Sequence, residues 1–113
     1  MSDMTVILLN NDGMGQAAPE LRHKLISTYL QMLIDGDWKP AVICGYAEGV
    51  KLAVTGSPVL EQLKQLEASG VMILLCSTCL GFYELREQVQ VGIVGGMHDI
   101  MEAQQRASKV ITL

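Results

Sequence analysis

The stretch Gly70-Val71-Met72-Ile73-Leu74-Leu75-Cys76-Ser77-Thr78-Cys79-Leu80 constrains the fold more than any other part of the chain. Its unbroken apolar run is bounded by Gly and by Ser-Thr and is too short for an ordinary helix. It therefore predicts a strand buried on both faces. Leu80-Gly81-Phe82-Tyr83-Glu84-Leu85 then opens a helical pattern that predicts a helix to about Gln88. Two thiols thus fall where a strand hands over to a helix. A strand apolar on both faces needs cover on both faces, which is the condition of a parallel sheet inside an α/β protein.

The rest of the chain repeats that alternation. Thr5-Val6-Ile7-Leu8-Leu9 reads as a strand, followed by the loop Asn10-Asn11-Asp12-Gly13. Ala18, Leu21, Leu25, Ile26, Tyr29, Leu30 and Leu33 recur at helical spacing, and Asp35-Gly36-Asp37 ends the pattern. Pro40-Ala41-Val42-Ile43-Cys44 predicts a second strand, then a loop over Gly45-Tyr46-Ala47-Glu48-Gly49 and a short apolar segment, Val50–Val54. Ser57 and Pro58 read as the N-cap and first residue of a second helix, with Gly70 as its C-terminal stop. Val91-Gly92-Ile93-Val94, a helix from about His98 to Arg106, and Lys109–Leu113 complete the series. The expectation is a three-layer α/β/α sandwich around a five-stranded, mostly parallel sheet. No linker or repeat divides it, so residues 1–113 are read as one domain.

Half of the residues are hydrophobic but only 4% are aromatic, so the core is aliphatic and rich in Met. A net charge of −4 argues against nucleic acid and against an anionic membrane surface. No apolar run is long enough to span a bilayer, and Met1-Ser2-Asp3-Met4 lacks the features of a signal peptide. Three cysteines, two closely spaced, suit a reducing cytoplasm better than a disulfide framework. Met32, Ile34 and Trp38 widen the apolar face at the end of the first helix, which suggests a homo-oligomer.

In open α/β sheets ligands bind beyond the carboxyl ends of the strands. That edge would gather Asn11, Asp12, Glu48, Cys76, Thr78, Cys79 and His98. Cys76 is read as the reactive thiol, because a helix start favours the thiolate that does the chemistry. The alternative is that Cys76 is the last buried residue of its strand, since free Cys is among the most buried residue types. Cys79 could resolve an oxidised Cys76 as a disulfide or pack beneath the helix. A structural zinc within one chain would need two more ligands from Cys44, His23 and His98 and no second Cys-x-x-Cys exists, so no metal or cofactor is expected, a zinc shared between subunits being the alternative. His98 could orient a thiol or simply open its helix. His23 reads as solvated surface, and Cys44 as core. Gly13-Met14-Gly15 is a lone Gly-x-Gly without the third glycine of a dinucleotide loop, so it predicts a tight turn. Asn11 and Asp12 could bind a small polar ligand or serve the turn and helix cap.

Gly70-Val71-x-Ile73-x-x-Cys76-x-Thr78-Cys79-Leu80 resembles the DsrE-like family, most closely the C-terminal domain of YedF-type proteins linked to selenium metabolism. Asn11–Gly15, Glu48–Ala53, Val91–Val94 and Met97–Ile100 carry the likeness along nearly the whole chain. The resemblance implies a five-stranded parallel sheet, oligomerisation, and a sulfurtransferase-like role in sulfur relay. A cysteine carries sulfur there as a persulfide, and Cys76 matches the carrier position. Ser77, Ala47 or Glu48, and Gly96 depart from residues common in the family. A small sulfur-carrier domain precedes the YedF-type domain and is absent from this sequence, so a partner would supply it in trans. The alternative is a non-catalytic oligomeric binding or redox-sensing module with structural cysteines.

Overall fold

The computed structural model describes residues 4–113. The expectation of no leader, which rests on Met1 to Asp3, lies outside the described residues. Five strands form one sheet, β1 (Thr5–Leu9), β2 (Val42–Gly45), β3 (Met72–Cys76), β4 (Ile93–Gly95) and β5 (Lys109–Thr112). Every pairing is parallel, and the order across the sheet is β4-β3-β2-β1-β5. The first three crossovers step one way across the sheet, and the last runs back past three strands to the far edge. Right-handed crossovers place helices on opposite faces for opposite directions of travel. Accordingly α1 (Pro19–Asp35), α2 (Leu60–Ala68) and α3 (Ser77–Phe82) belong to one side, and α4 (Met97–Arg106) covers the other.

Strand alternation sorts the apolar residues between two cores. Ile7, Leu9, Ile43, Ile73 and Leu75 meet Ile26 and Leu30 of α1, Leu63 and Leu66 of α2, and Leu80 of α3. Val6, Leu8, Val42, Cys44 and Cys76 meet Ile100 and Ala103 of α4. The expected α/β architecture is present, with a sheet that is parallel throughout.

Several boundaries differ from the sequence reading. Helix α2 begins at Leu60, because Ser57 and Pro58 form the preceding turn, where Ser57 Oγ accepts the Val59 N–H at 3.1 Å. Its end is a Schellman closure at Gly70 (φ +107): the Val71 N–H reaches Leu66 O and the Gly70 N–H reaches Glu67 O, each at 3.1 Å. Helix α3 starts at Ser77 and stops at Phe82, well short of Gln88. The same closure ends it, with Glu84 (φ +57) in the left-handed position and the Leu85 N–H bonded to Leu80 O at 2.8 Å. Burial of Leu85 against the α1-side core accompanies a turn that no glycine marks. A 3-10 helix, Ala47–Ala53, replaces the expected loop and apolar segment after β2. It packs so closely on β1 that a Cβ at Gly49 would overlap the Leu9 carbonyl oxygen.

Candidate functional site

Cys76 closes β3 and serves as the N-cap of α3. It shares a sheet face with Met72 and Leu74, two positions past the residue paired with Cys44. That face lies under α4, so Cys76 is only 1% exposed and packs with Val42, Cys44 and Ile100. Of the two sequence readings of Cys76, the burial matches the last buried residue of its strand: its side chain turns back into the core.

Cys79 lies in the first turn of α3 and is partly exposed, touching both cores. Its Sγ accepts the Ala47 N–H at 3.1 Å, which ties α3 to the 3-10 helix after β2. Burial pushes the Cys79 thiol above its ordinary range, the Ala47 N–H pulls it down, and the neighbouring Cys76 pushes it up again. Desolvation therefore outweighs the donors at this helix start, and the resting thiol keeps its proton more firmly than a free cysteine. Cys44 is completely buried, and desolvation pushes its thiol up to about 11. No group of three or more metal-ligating side chains occurs among the described residues.

The remaining expected site residues divide between turn-building and separate contacts. Asn11 braces its own loop, with Oδ1 accepting the Asp12 N–H at 2.8 Å and Nδ2 donating to Gly15 O at 3.0 Å. Arg22 fastens that loop to α1 by donating to Asp12 O at 3.1 Å and Ala17 O at 2.8 Å. Glu48 is exposed and pairs with Lys51 Nζ at 3.1 Å. Thr78 is exposed and lines a different cavity, with Glu84, Arg86 and Glu87. His98 is an exposed residue of the first turn of α4, with no hydrogen bond or ion pair among the described residues. The structure thus brings Cys76 and Cys79 together, while Thr78 and His98 are exposed and make no hydrogen bond with either thiol among the described residues.

His23 keeps a third of its side chain exposed, but its ring nitrogen is turned inward. Its Nε2 lies 3.4 Å from Asp12 Oδ1, shut off from solvent. The missed signal is the register of α1. Leu21 and Leu25 are 49% and 40% exposed, whereas Ile26, Leu30 and Leu33 are buried. Counting back from Ile26 and Leu30 by three and seven places His23 at the margin of the buried stripe. Lys51 and Tyr83 were also missed as a pair, with Nζ 4.6 Å from the ring centroid.

The fold has counterparts among solved structures. The YchN protein of E. coli superposes with a TM-score of 0.75 at 16% identity, covering 99% of this chain and 100% of its own. MTH1491 of Methanobacterium thermoautotrophicum, described as of unknown function, gives 0.73 at 18% identity, with 99% and 100% covered. BT1422 of Bacteroides thetaiotaomicron, a conserved protein also of unknown function, gives 0.71 at 19% identity, with 98% and 95% covered. Identities this low establish likeness of fold. Among curated proteins none matches the chain significantly. The sequence matches the DsrE/DsrF-like family over residues 3–113. The match spans almost every residue, and the chain belongs to the DsrE/DsrF-like family.

Proposed function

We propose that this protein is a sulfur carrier in which the Cys76–Cys79 pair handles sulfur as a persulfide, with Cys79 as the thiol that meets the donor. The observation carrying this reading is the placement of Cys79 Sγ: partly exposed at the C-terminal sheet edge, 3.1 Å from the Ala47 N–H, with Cys76 buried behind it. The Cys79 thiolate attacks the outer sulfur of a donor persulfide. One S–S bond forms on Cys79, the donor S–S bond breaks, and the donor leaves as a thiolate. An acceptor thiolate then removes the outer sulfur by the same exchange. The Ala47 N–H offers a hydrogen bond to the sulfur while it is anionic. The raised Cys79 thiol makes the free protein slow to react, so a donor that displaces water from the edge or supplies a base would be needed.

Such chemistry needs a reducing compartment, and we place the protein in the cytoplasm with a small sulfur-carrier protein as its exchange partner. We also read it as a homo-oligomer, because Met72, Ile93, Met97 and Met101 leave apolar surface around β4 and α4. No described helix is long and apolar enough to cross a membrane.

Intact-mass measurement after incubation with a persulfide donor tests the carrier reading. A gain of about 32 Da, one sulfur atom, is expected on the wild type and on Cys76→Ser, and none on Cys79→Ser. An adduct that survives in Cys79→Ser and disappears in Cys76→Ser assigns the carrier to Cys76. Absence of any adduct favours a structural pair inside a binding or redox-sensing module.

A further inference from the structure

The same sheet edge holds a second group of polar side chains that the thiol pair does not use. A cavity of about 400 Å³ lies there, and no cysteine borders it. Asp12 reaches it from the β1–α1 loop, His23 from α1, Lys51 from the 3-10 helix, and Tyr83 from the end of α3. Its volume lies in the range of about 300–1,000 Å³ usual for small-molecule sites.

One wall is under-bonded. The Asp12 side chain is 24% exposed, and His23 Nε2 faces it at 3.4 Å. Charge-assisted hydrogen bonds run at about 2.7–2.9 Å, so this contact is loose. His23 Nε2 has no hydrogen-bond partner although it is sealed from solvent. Sealed polar atoms are nearly always bonded, and leaving one unpaired is unfavourable. The Asp12 carboxylate, held by that one loose contact and partly exposed, therefore retains bonding capacity at the cavity wall.

The other wall carries positive charge. Lys51 Nζ sits 4.6 Å from the Tyr83 ring centroid and 3.1 Å from Glu48 Oε1, and an ammonium has three N–H donors to place. Ser57 Oγ accepts the Val59 N–H at 3.1 Å, which leaves its own O–H free to donate. Val54, Pro58 and Leu85 supply apolar lining between the charges. A simple anion would be repelled by Asp12, and a simple cation by Lys51. A molecule bearing both charges satisfies both walls, with its ammonium toward Asp12 and its carboxylate toward Lys51 and Ser57.

We propose that this cavity binds a free α-amino acid or a similarly small zwitterion. The full chain is titrated with L-alanine, L-serine and L-leucine, with acetate and methylamine as single-charge controls, while the ring signals of His23 and Tyr83 are followed by NMR. Saturable shifts of both rings are expected with at least one amino acid, at concentrations about tenfold or more below those of either control. Asp12→Asn and Lys51→Met should each weaken that binding about tenfold or more. Lys51→Met keeps the Asp12–His23 pair and so serves where Asp12→Asn fails to fold. No saturable shift with any amino acid, equal binding of acetate, or undiminished binding in Lys51→Met would overturn the proposal.

Discussion

Cys44, Cys76 and Cys79 share one end of the sheet, and their surroundings set them apart. Cys44 and Cys76 lie on the α4 face of their strands, inside a dry core, while Cys79 stands on the first turn of a helix between the two cores. Accessibility should therefore rank them. Iodoacetamide is expected to label Cys79 first and Cys44 last, read by peptide mapping; faster labelling of Cys76 would move the carrier role to it. Labelling of Cys79 should rise only at pH values above those of a free thiol, because burial holds its proton. Cys44 adds a pH dependence of stability. Its thiol titrates near 11 in the fold against 9.0 when unperturbed. Below about pH 9 both states keep the proton and the stabilisation is complete. Between those values the unfolded chain gives up its proton first, so stability falls as pH rises. The full effect is of order 3 kcal/mol. Urea midpoints of wild type and Cys44→Ala should converge as pH climbs from about 9 to about 11. A constant gap between them would show that Cys44 gives up its proton equally readily in the folded and unfolded chain, so that burial does not hold it.

Among the elements, helix ends and one close approach carry the local specificity. Gly70 is left-handed at φ +107, and a Cβ there would meet nothing within 4 Å. The cost of replacing it is thus conformational: Gly70→Val should destabilise by about 1 kcal/mol or more, seen as a lower urea midpoint. Glu84 occupies the matching place after α3 and tolerates φ +57 only because Leu80 and Leu85 pack on the α1-side core. Relieving that strain with Glu84→Gly should stabilise by about 0.5–1 kcal/mol, the left-handed penalty less the added freedom of the unfolded glycine. Gly49 is a steric case. Its α-carbon abuts the Leu9 carbonyl, which cannot move without disturbing β1, so Gly49→Ala should cost more than about 2 kcal/mol. A melting temperature unchanged in Gly49→Ala would show that the 3-10 helix can lift away from the strand.

On the scale of the whole molecule, the last crossover leaves one helix to cover a five-stranded face. Helix α4 shields its middle through Ile100 and Ala103, and Met72, Ile93, Met97 and Met101 are left about half exposed beside it. Met72 and Ile93 line a cavity of about 540 Å³ that Asp99, Glu102 and Arg106 rim, offering charges of both signs to a second copy. Light scattering at micromolar concentration should therefore show an oligomer, and Ile93→Glu should dissociate it while Trp38→Glu does not. The reverse result would locate the interface at the end of α1, where Trp38 and Met32 are also exposed. A clean wild-type monomer would remove self-association altogether.

Strand positions, the parallel sheet and the placement of both site cysteines at a strand–helix junction were legible in the chain, because buried strands and their turn residues are local patterns. The end of α3 was not, since a left-handed Glu84 has no sequence mark and depends on where Leu85 is buried. Strand order was equally hidden, as periodicity records which residues are buried and not which strand lies beside which. The orientation of Cys76 depended on which sheet face α4 covers, and that is decided by the direction of the last crossover. The Asp12–His23 contact required the true register of α1, which packing against the sheet selects from two overlapping apolar stripes. Local chemistry thus determined the sequence of elements and the residue types at the edge. Only their assembly decided which thiol faces solvent and which polar groups meet.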